Sequence, residues 1–249
     1  MAMTKTDISP EEWELRRNLA AAYRLIALFG WDDHVATHLS ARLPDGSYLL
    51  NPFGLMFEEI TASNLIRVDM EGNVIAPPDA ALNVAGFTVH SGLLGARADI
   101  NCAVHLHTHD GVAVSALEEG FLPLSQTALL IHSDIAYHDF EGVVAQKNER
   151  ERLRRDLGTK NLMILRNHGT LAVGATIADA FYRIYTLEWC CTTQIRALAC
   201  GRDVRLPDSE AIAKTGSAMD WNSPQRFSLN IFWPAMLRKA ARCCPGFDD

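Results

Sequence analysis

The stretch from residue 101 to 117, NCAVHLHTHDGVAVSAL, restricts the fold more than any other part of the chain. In its first half, side chains alternate between the two faces of an extended strand. Val104 and Leu106 share one face, and Ala103, His105 and His107 share the other. The spacing then turns helical through GVAVSALEEG, with Asp110 as the expected N-cap. A strand that passes within a few residues into a helix belongs to a layered α/β architecture, and the rest of the chain keeps that interleaving.

SPEEWELRRNLAAAYRLIALFGW predicts a helix capped by Ser9, with Pro10 at its first position, Glu12 completing a capping box and Gly30 closing it. THLSARLPDGSYLLNP predicts two short strands about Asp45 and Gly46. LIRVDMEGNVIAPP repeats that hairpin about Glu71, Gly72 and Asn73. Helical spacing returns in NVAGFTVHSGLLGARAD and in the charged NERERLRRDLG, which ends at Gly158. NLMILRNHG and TLAVG read as buried strands. Thr176 is the expected cap of the long helix IADAFYRIYTLEWCCTTQIRALAC, closed by Gly201, and PAMLRKAAR forms a last helix. No repeat or long linker divides the chain, so residues 1–8 are expected as a disordered tail and 9–249 as one domain.

At 249 residues the chain buries roughly three quarters of its unfolded surface and needs no staples. Its six cysteines, at 102, 190, 191, 200, 243 and 244, show no C-x-x-C spacing, a usage that fits a reducing compartment. MAMTKTD lacks the apolar core of a signal peptide, and no apolar run approaches the length of a membrane span. A cytoplasmic protein is therefore expected, without membrane contact. A net charge of −7 with no basic block argues against nucleic acid as a partner, while leaving small anionic substrates open.

His105 and His107, about 7 Å apart along one strand face, are spaced to converge on a metal ion. RNHGT offers His168 as a third ligand just after a buried strand, where Gly169 permits a sharp turn. The H-x-H pattern alone equally describes a polar outer face, and His168 equally describes a loop histidine bonded to backbone. His109 continues the alternation but falls where the helix begins, which makes it a candidate pocket or proton-transfer group.

The motifs NPFGL, ITASNL, NVAGFTVHS, AVHLHTHDGVAVSAL, AYHDFEG and ILRNHGTLAVG, in this order, resemble the class II aldolase/adducin superfamily from about Leu15 to Gly201. The resemblance implies a single three-layer α/β/α sandwich with a mainly antiparallel central sheet. It also implies a homotetramer with sites near subunit interfaces, and a divalent metal held by His105, His107 and His168, zinc foremost, with manganese or iron as alternatives. In the sugar-phosphate aldolases the ion polarises a carbonyl, which needs an open coordination position.

The chain departs from that pattern at the substrate. Where aldolases such as fuculose-phosphate aldolase carry Ser-Ser-Glu, this sequence reads Val84, Ala85 and Gly86, so the acid/base carboxylate is missing. An asparagine position reads His38 and a threonine position reads Phe53, and such replacements cannot cradle a phosphate as the family's side chains do. Similar glycine-for-glutamate changes occur in adducin-like members. A larger, less polar pocket is expected, with His38, Phe53, Asn83 and Arg166 as substrate-binding candidates. Phe53 and Phe87 either face a flat ring or pack the core. Asn83 either caps its helix or touches substrate, and Arg166 either binds a carboxylate or forms an interface ion pair.

Tyr137, in AYHDF, stands where aldolases have a tyrosine near the metal, so Tyr137 and His109 are the candidate catalytic proton donors. His138, Asp139 and Glu141 follow as weaker candidates, His90 is expected as a packing histidine, and His34 and His132 carry little weight. Phe247 stands where relatives carry a tail tyrosine. The function expected is a metal-dependent carbon–carbon lyase, retro-aldol or decarboxylating, acting on a small unphosphorylated hydroxy-carbonyl or aromatic carboxylic acid. The alternatives are a non-haem metal oxygenase on an aromatic acid and a non-catalytic adducin-like interaction module.

Overall fold

The computed structural model describes residue 6 and residues 8–94, 96–142, 149–216 and 226–249. The tail expected over 1–8 lies, apart from residues 6 and 8, outside the described residues. Helix α1 (Pro10–Leu28) starts as its sequence dictates, the Glu12 N–H donating to Ser9 Oγ at 3.1 Å, and Gly30, at φ +67°, turns the chain out of it. Strands β1 (His38–Arg42) and β2 (Tyr48–Leu50) pair across the Asp45–Gly46 turn, followed by the hairpin β3 (Ile66–Val68) and β4 (Val74–Ala76). Next come α2 (Val84–Leu94), β5 (Cys102–Leu106) and α3 (His109–Ser115).

The cap of α3 is Thr108 rather than Asp110. Thr108 Oγ1 accepts from the Gly111 N–H at 2.9 Å, while Asp110 lies inside the first turn and accepts from Thr192 Oγ1 at 2.5 Å. Both residue types cap well; the earlier one is placed to meet the third amide of the helix. The remaining elements are α4 (Gln126–His132), β6 (Ile135–His138), α5 (Glu149–Leu157), β7 (Leu162–Leu165), β8 (Gly169–Gly174), α6 (Ile177–Ala199), α7 (Ser209–Gly216) and α8 (Trp233–Cys243). Sequence spacing misses α4 and α7, whose seven and eight residues are too few to display a period.

The eight strands among the described residues form one sheet in the order β4-β3-β2-β1-β5-β8-β7-β6. The sheet is mixed: β6 runs parallel to β7, and the other neighbours pair antiparallel. Alternation sorts the strand residues into two cores. Leu39, Ala41, Cys102, Val104, Leu106, Ile164 and Ala172 join the cluster built with α1 and α6. Tyr48, Leu50, Ala103, Met163, Leu165, Leu171 and Val173 join the cluster built with Phe87, Leu93 and Leu94 of α2 and Leu153 and Leu157 of α5. Each valine, leucine, isoleucine or methionine among them contributes roughly 1.5–3 kcal/mol on burial, so the central strands are held from both sides. Among the described residues, no helix is long and apolar enough to cross a membrane.

Candidate metal centre

Strand β5 sits mid-sheet, with His105 opposite His38 on β1 and Leu171 on β8. His107 follows one residue beyond the strand end, on the same face. His168 comes from the turn joining β7 to β8, where Asn167 adopts φ +56°. A Cβ on Gly169 would fall far inside contact distance of the Leu106 carbonyl oxygen, so only glycine lets this turn lie against the end of β5. The ring centroids are 4.6 Å apart for His105–His107 and 4.7 Å for each of the other two pairs. One ring nitrogen from each lies within 4.8 Å of the others.

The hydrogen bonds fix two tautomers. His105 Nδ1–H donates to the Thr170 carbonyl at 2.9 Å, and a carbonyl only accepts. His107 Nδ1–H donates to Asp33 Oδ2 at 3.0 Å. In the neutral rings both Nε2 atoms present lone pairs, and they face each other at 2.8 Å. Two nitrogens so placed need a proton or a metal ion between them. Burial holds the pKa of His105 well below 6.5, aided by His107 and His168, and burial with His107 and His138 brings His168 to about 4. Three converging nitrogens, two of them oriented by an outer carbonyl or carboxylate, fit a divalent ion of the zinc type.

Beside the triad lies a cavity of about 340 Å³ that His38, Asn83, Val89 and Phe140 also line. His38 Nδ1 is 2.7 Å from His90 Nε2, and His90 Nδ1 bonds in turn to Ser40 Oγ. His90 is a satisfied buried histidine as expected, and it also orients a ring that faces the cavity. Burial, then the neighbouring His90, depresses the pKa of His38; burial brings His90 to about 3. Position 86 is interlocked with His38. A Cβ built on Gly86 would overlap His38 Cδ2 and Nε2, so the imidazole fills the space that a side chain at 86 would need.

The remaining candidates divide. Asn83 Oδ1 accepts from the Gly86 N–H at 3.2 Å, a capping contact for α2, and the residue also lines the cavity. Tyr137 does not join the histidines. On β6, Ala136 faces the α2/α5 core, so Tyr137 points to the other side, where its hydroxyl accepts from the Phe121 N–H at 3.0 Å. The Arg166 guanidinium lies 4.5 Å over the Tyr137 ring and donates to the Leu117 carbonyl at 2.6 Å. Arg166 lines a side cavity of about 30 Å³ next to His168 and is not among the lining residues of the larger one. His109 is exposed at the start of α3, and Phe53 is 45% exposed; neither is among the cavity's lining residues.

Phe87 is a core residue against Tyr48. The aromatic wall is instead Phe140, 6.3 Å from His168. His138 is buried with its Nδ1 on Asp156 at 2.7 Å, and Glu141 pairs with Arg152. His34 is exposed, His132 ends α4, and Phe247 is buried in the core. Sequence reasoning missed Asp33, Phe140 and Glu149, which also lines the cavity. Phe140 stood inside the AYHDF motif, whereas Asp33 meets His107 across 74 residues and leaves no spacing signal.

The model of the family "Class II Aldolase and Adducin N-terminal domain" matches residues 17–195. A Caulobacter vibrioides protein named "Putative aldolase class 2 protein" is 47% identical over 247 residues, covering 98% of this chain and 96% of its own. Alpha-adducin of Mus musculus is 42% identical over 190 residues, 74% of this chain but 26% of adducin. The crystal structure of an aldolase II superfamily protein from Pseudomonas syringae superimposes with a TM-score of 0.92 at 43% identity, covering 99% of each chain. With the family model matched over most of the chain's length and full-length relatives at 47% and 43% identity, this chain belongs to the class II aldolase/adducin family.

Proposed function

We propose that the protein is a divalent-metal-dependent carbon–carbon lyase acting on a small unphosphorylated hydroxy-carbonyl compound or aromatic carboxylic acid. The observation that carries this reading is the convergence of three imidazole nitrogens, two of them 2.8 Å apart, beside a cavity walled by Val89, Phe140 and imidazoles. His105, His107 and His168 would hold the ion, with zinc the first choice for an all-nitrogen site. When bound, the ion supplies a Lewis acid for the electron density released as a C–C bond breaks.

The chain's own residues supply the rest. Asp33 and the Thr170 carbonyl keep His107 and His105 in the ligating tautomer. His38 occupies the space that an acid/base carboxylate at position 86 would use, and we assign it the proton transfer. The Ser40–His90–His38 chain has two tautomeric directions. In one, His38 Nε2–H donates into the cavity; in the other, Nε2 accepts. Phe140 and Val89 offer an apolar wall, which suits a ring or short carbon chain better than a phosphate. Tyr137 and His109 stand outside this cavity within one protomer, so the proton is placed on His38 instead. The expected homotetramer fits this reading, since Phe140 is 51% exposed at the edge of the site and open to cover by a neighbouring subunit.

The test is turnover by zinc- and manganese-loaded protein on paired substrates, each hydroxy acid or hydroxy-carbonyl compound offered with and without a phosphate. Consumption of unphosphorylated members, lost in His38→Ala, is the expected result. Equal or better turnover of the phosphorylated partners would overturn the substrate assignment. The identity to alpha-adducin favours a second reading, a non-catalytic interaction module; it predicts no turnover with any metal.

A further inference from the structure

A second carboxylate lies behind the histidine triad and has no part in the chemistry above. Glu188, on α6, is 1% exposed. Its two oxygens accept from the hydroxyls of Thr108 and Thr170. These threonines are not arbitrary neighbours. Thr108 directly follows His107 and caps α3. Thr170 is two residues beyond His168, and its carbonyl takes the Nδ1–H of His105. One carboxylate thus ties together the backbone beside all three imidazoles.

Two further observations set Glu188 apart from a packing residue. The fit is close: a Cβ on Gly111 would lie 2.7 Å from Thr108 Oγ1 and 3.0 Å from Glu188 Oε2, so the carboxylate is seated where no side chain at 111 is allowed. It is also an uncompensated acid. Burial is the dominant influence on it and lifts its pKa to about 7, and no cationic side chain among the described residues figures in its surroundings. An amide of the same shape would avoid that cost of burying charge. A nearby ion would repay it. Asp33 is one hydrogen bond from His107, and Glu188 is two hydrogen bonds from His105 by way of Thr170, so a second carboxylate backs a site suited to a doubly positive ion.

We propose that Glu188 is a positioning residue of the three-histidine centre, clamping Thr108 and Thr170 and balancing the charge of a divalent ion that it does not touch. This rests on the reading that the triad binds a metal. Outer partners of metal ligands typically govern affinity by about 10–100-fold, and Glu188 acts one step further out, by holding Thr170, whose carbonyl is the outer partner of His105. In Glu188→Gln the charge is removed with little change of volume, while the threonine hydroxyl that meets the new amide N–H turns to accept from it, so the variant isolates the charge, and Thr170→Val removes an arm of the clamp.

The experiment is a zinc titration of the full chain against a chromophoric chelator, for the wild type, Glu188→Gln and Thr170→Val. It is paired with thermal unfolding of the metal-free proteins and the visible spectra of their cobalt(II) forms. The expected result is one zinc per wild-type chain, an affinity about 10–100-fold weaker in Glu188→Gln, a smaller loss in Thr170→Val, and altered cobalt bands. The metal-free melting point of Glu188→Gln should be unchanged or higher, because a buried charge has gone. Unchanged affinity in both variants would overturn the proposal, as would a loss of affinity matched by a lower metal-free melting point. A wild type that binds no zinc or cobalt would overturn the metal reading itself, and this inference with it.

Discussion

On one face of β5, Cys102, Val104 and Leu106 are sealed into the core that α1 and α6 close. On the other, Ala103 is followed by His105 and His107, which open onto a 340 Å³ cavity. The two faces belong to the same few residues and share one backbone ladder, yet they are under opposite demands. The aliphatic face is close-packed and carries stability. The imidazole face leaves lone pairs pointed at a gap, an arrangement that contributes little to folding and is costly to preserve. Function here sits on a strand that the opposite face has already made rigid.

Breaking the imidazole face should have the largest effect. His105→Ala/His107→Ala should abolish metal binding, read by mass spectrometry of the native protein, while thermal unfolding of the metal-free form moves little. Leu106→Ala breaks the other face: a loss of about 2–5 kcal/mol in denaturant unfolding, with metal per folded chain retained. If both variants lost stability and metal alike, the division between the faces would fail.

The interlock of position 86 with His38 sharpens the comparison further. Gly86→Glu, which restores the carboxylate of the sugar-phosphate aldolases, should cost about 1–3 kcal/mol by overpacking against His38. Adding His38→Asn should recover part of that loss, with a coupling of about 0.5–3 kcal/mol in a double-mutant cycle. Simple additivity would show that the two positions do not share one space.

A smaller effect is expected from pH in the metal-free protein. Glu188 has its pKa raised from 4.5 to about 7, so the folded state holds this proton more tightly than the unfolded state. Its contribution is present below about pH 4.5 and is lost as pH rises through 7, amounting to about 3 kcal/mol at most. Wild type minus Glu188→Gln stability should therefore fall between pH 5 and 7 and then level. A difference that stays flat, or that rises with pH, would contradict the assignment.

Much of this was legible in the sequence, and what escaped did so for physical reasons. The alternation at 103–107 placed the two histidines correctly, and a buried strand breaking at Gly169 placed His168 near them. The missing glutamate at Gly86 was visible too, but its replacement was not, because His38 reaches that space from a strand 48 residues away. Tyr137 followed from a motif, whereas its orientation depends on the register of β6 against β7, which no local pattern encodes. Glu188 looked like one more charge on a long helix; only the β5–β8 pairing brings Thr108 and Thr170 over it.

The most direct measurement is metal content per chain, by mass spectrometry, on protein purified without added metal or chelator, beside the His105→Ala/His107→Ala variant. The account predicts close to one zinc or manganese per chain, absent from the variant. Close to one iron per chain would transfer the site to oxygen chemistry. A wild type that is empty and refuses added metal would contradict the account and leave the adducin-like module in its place.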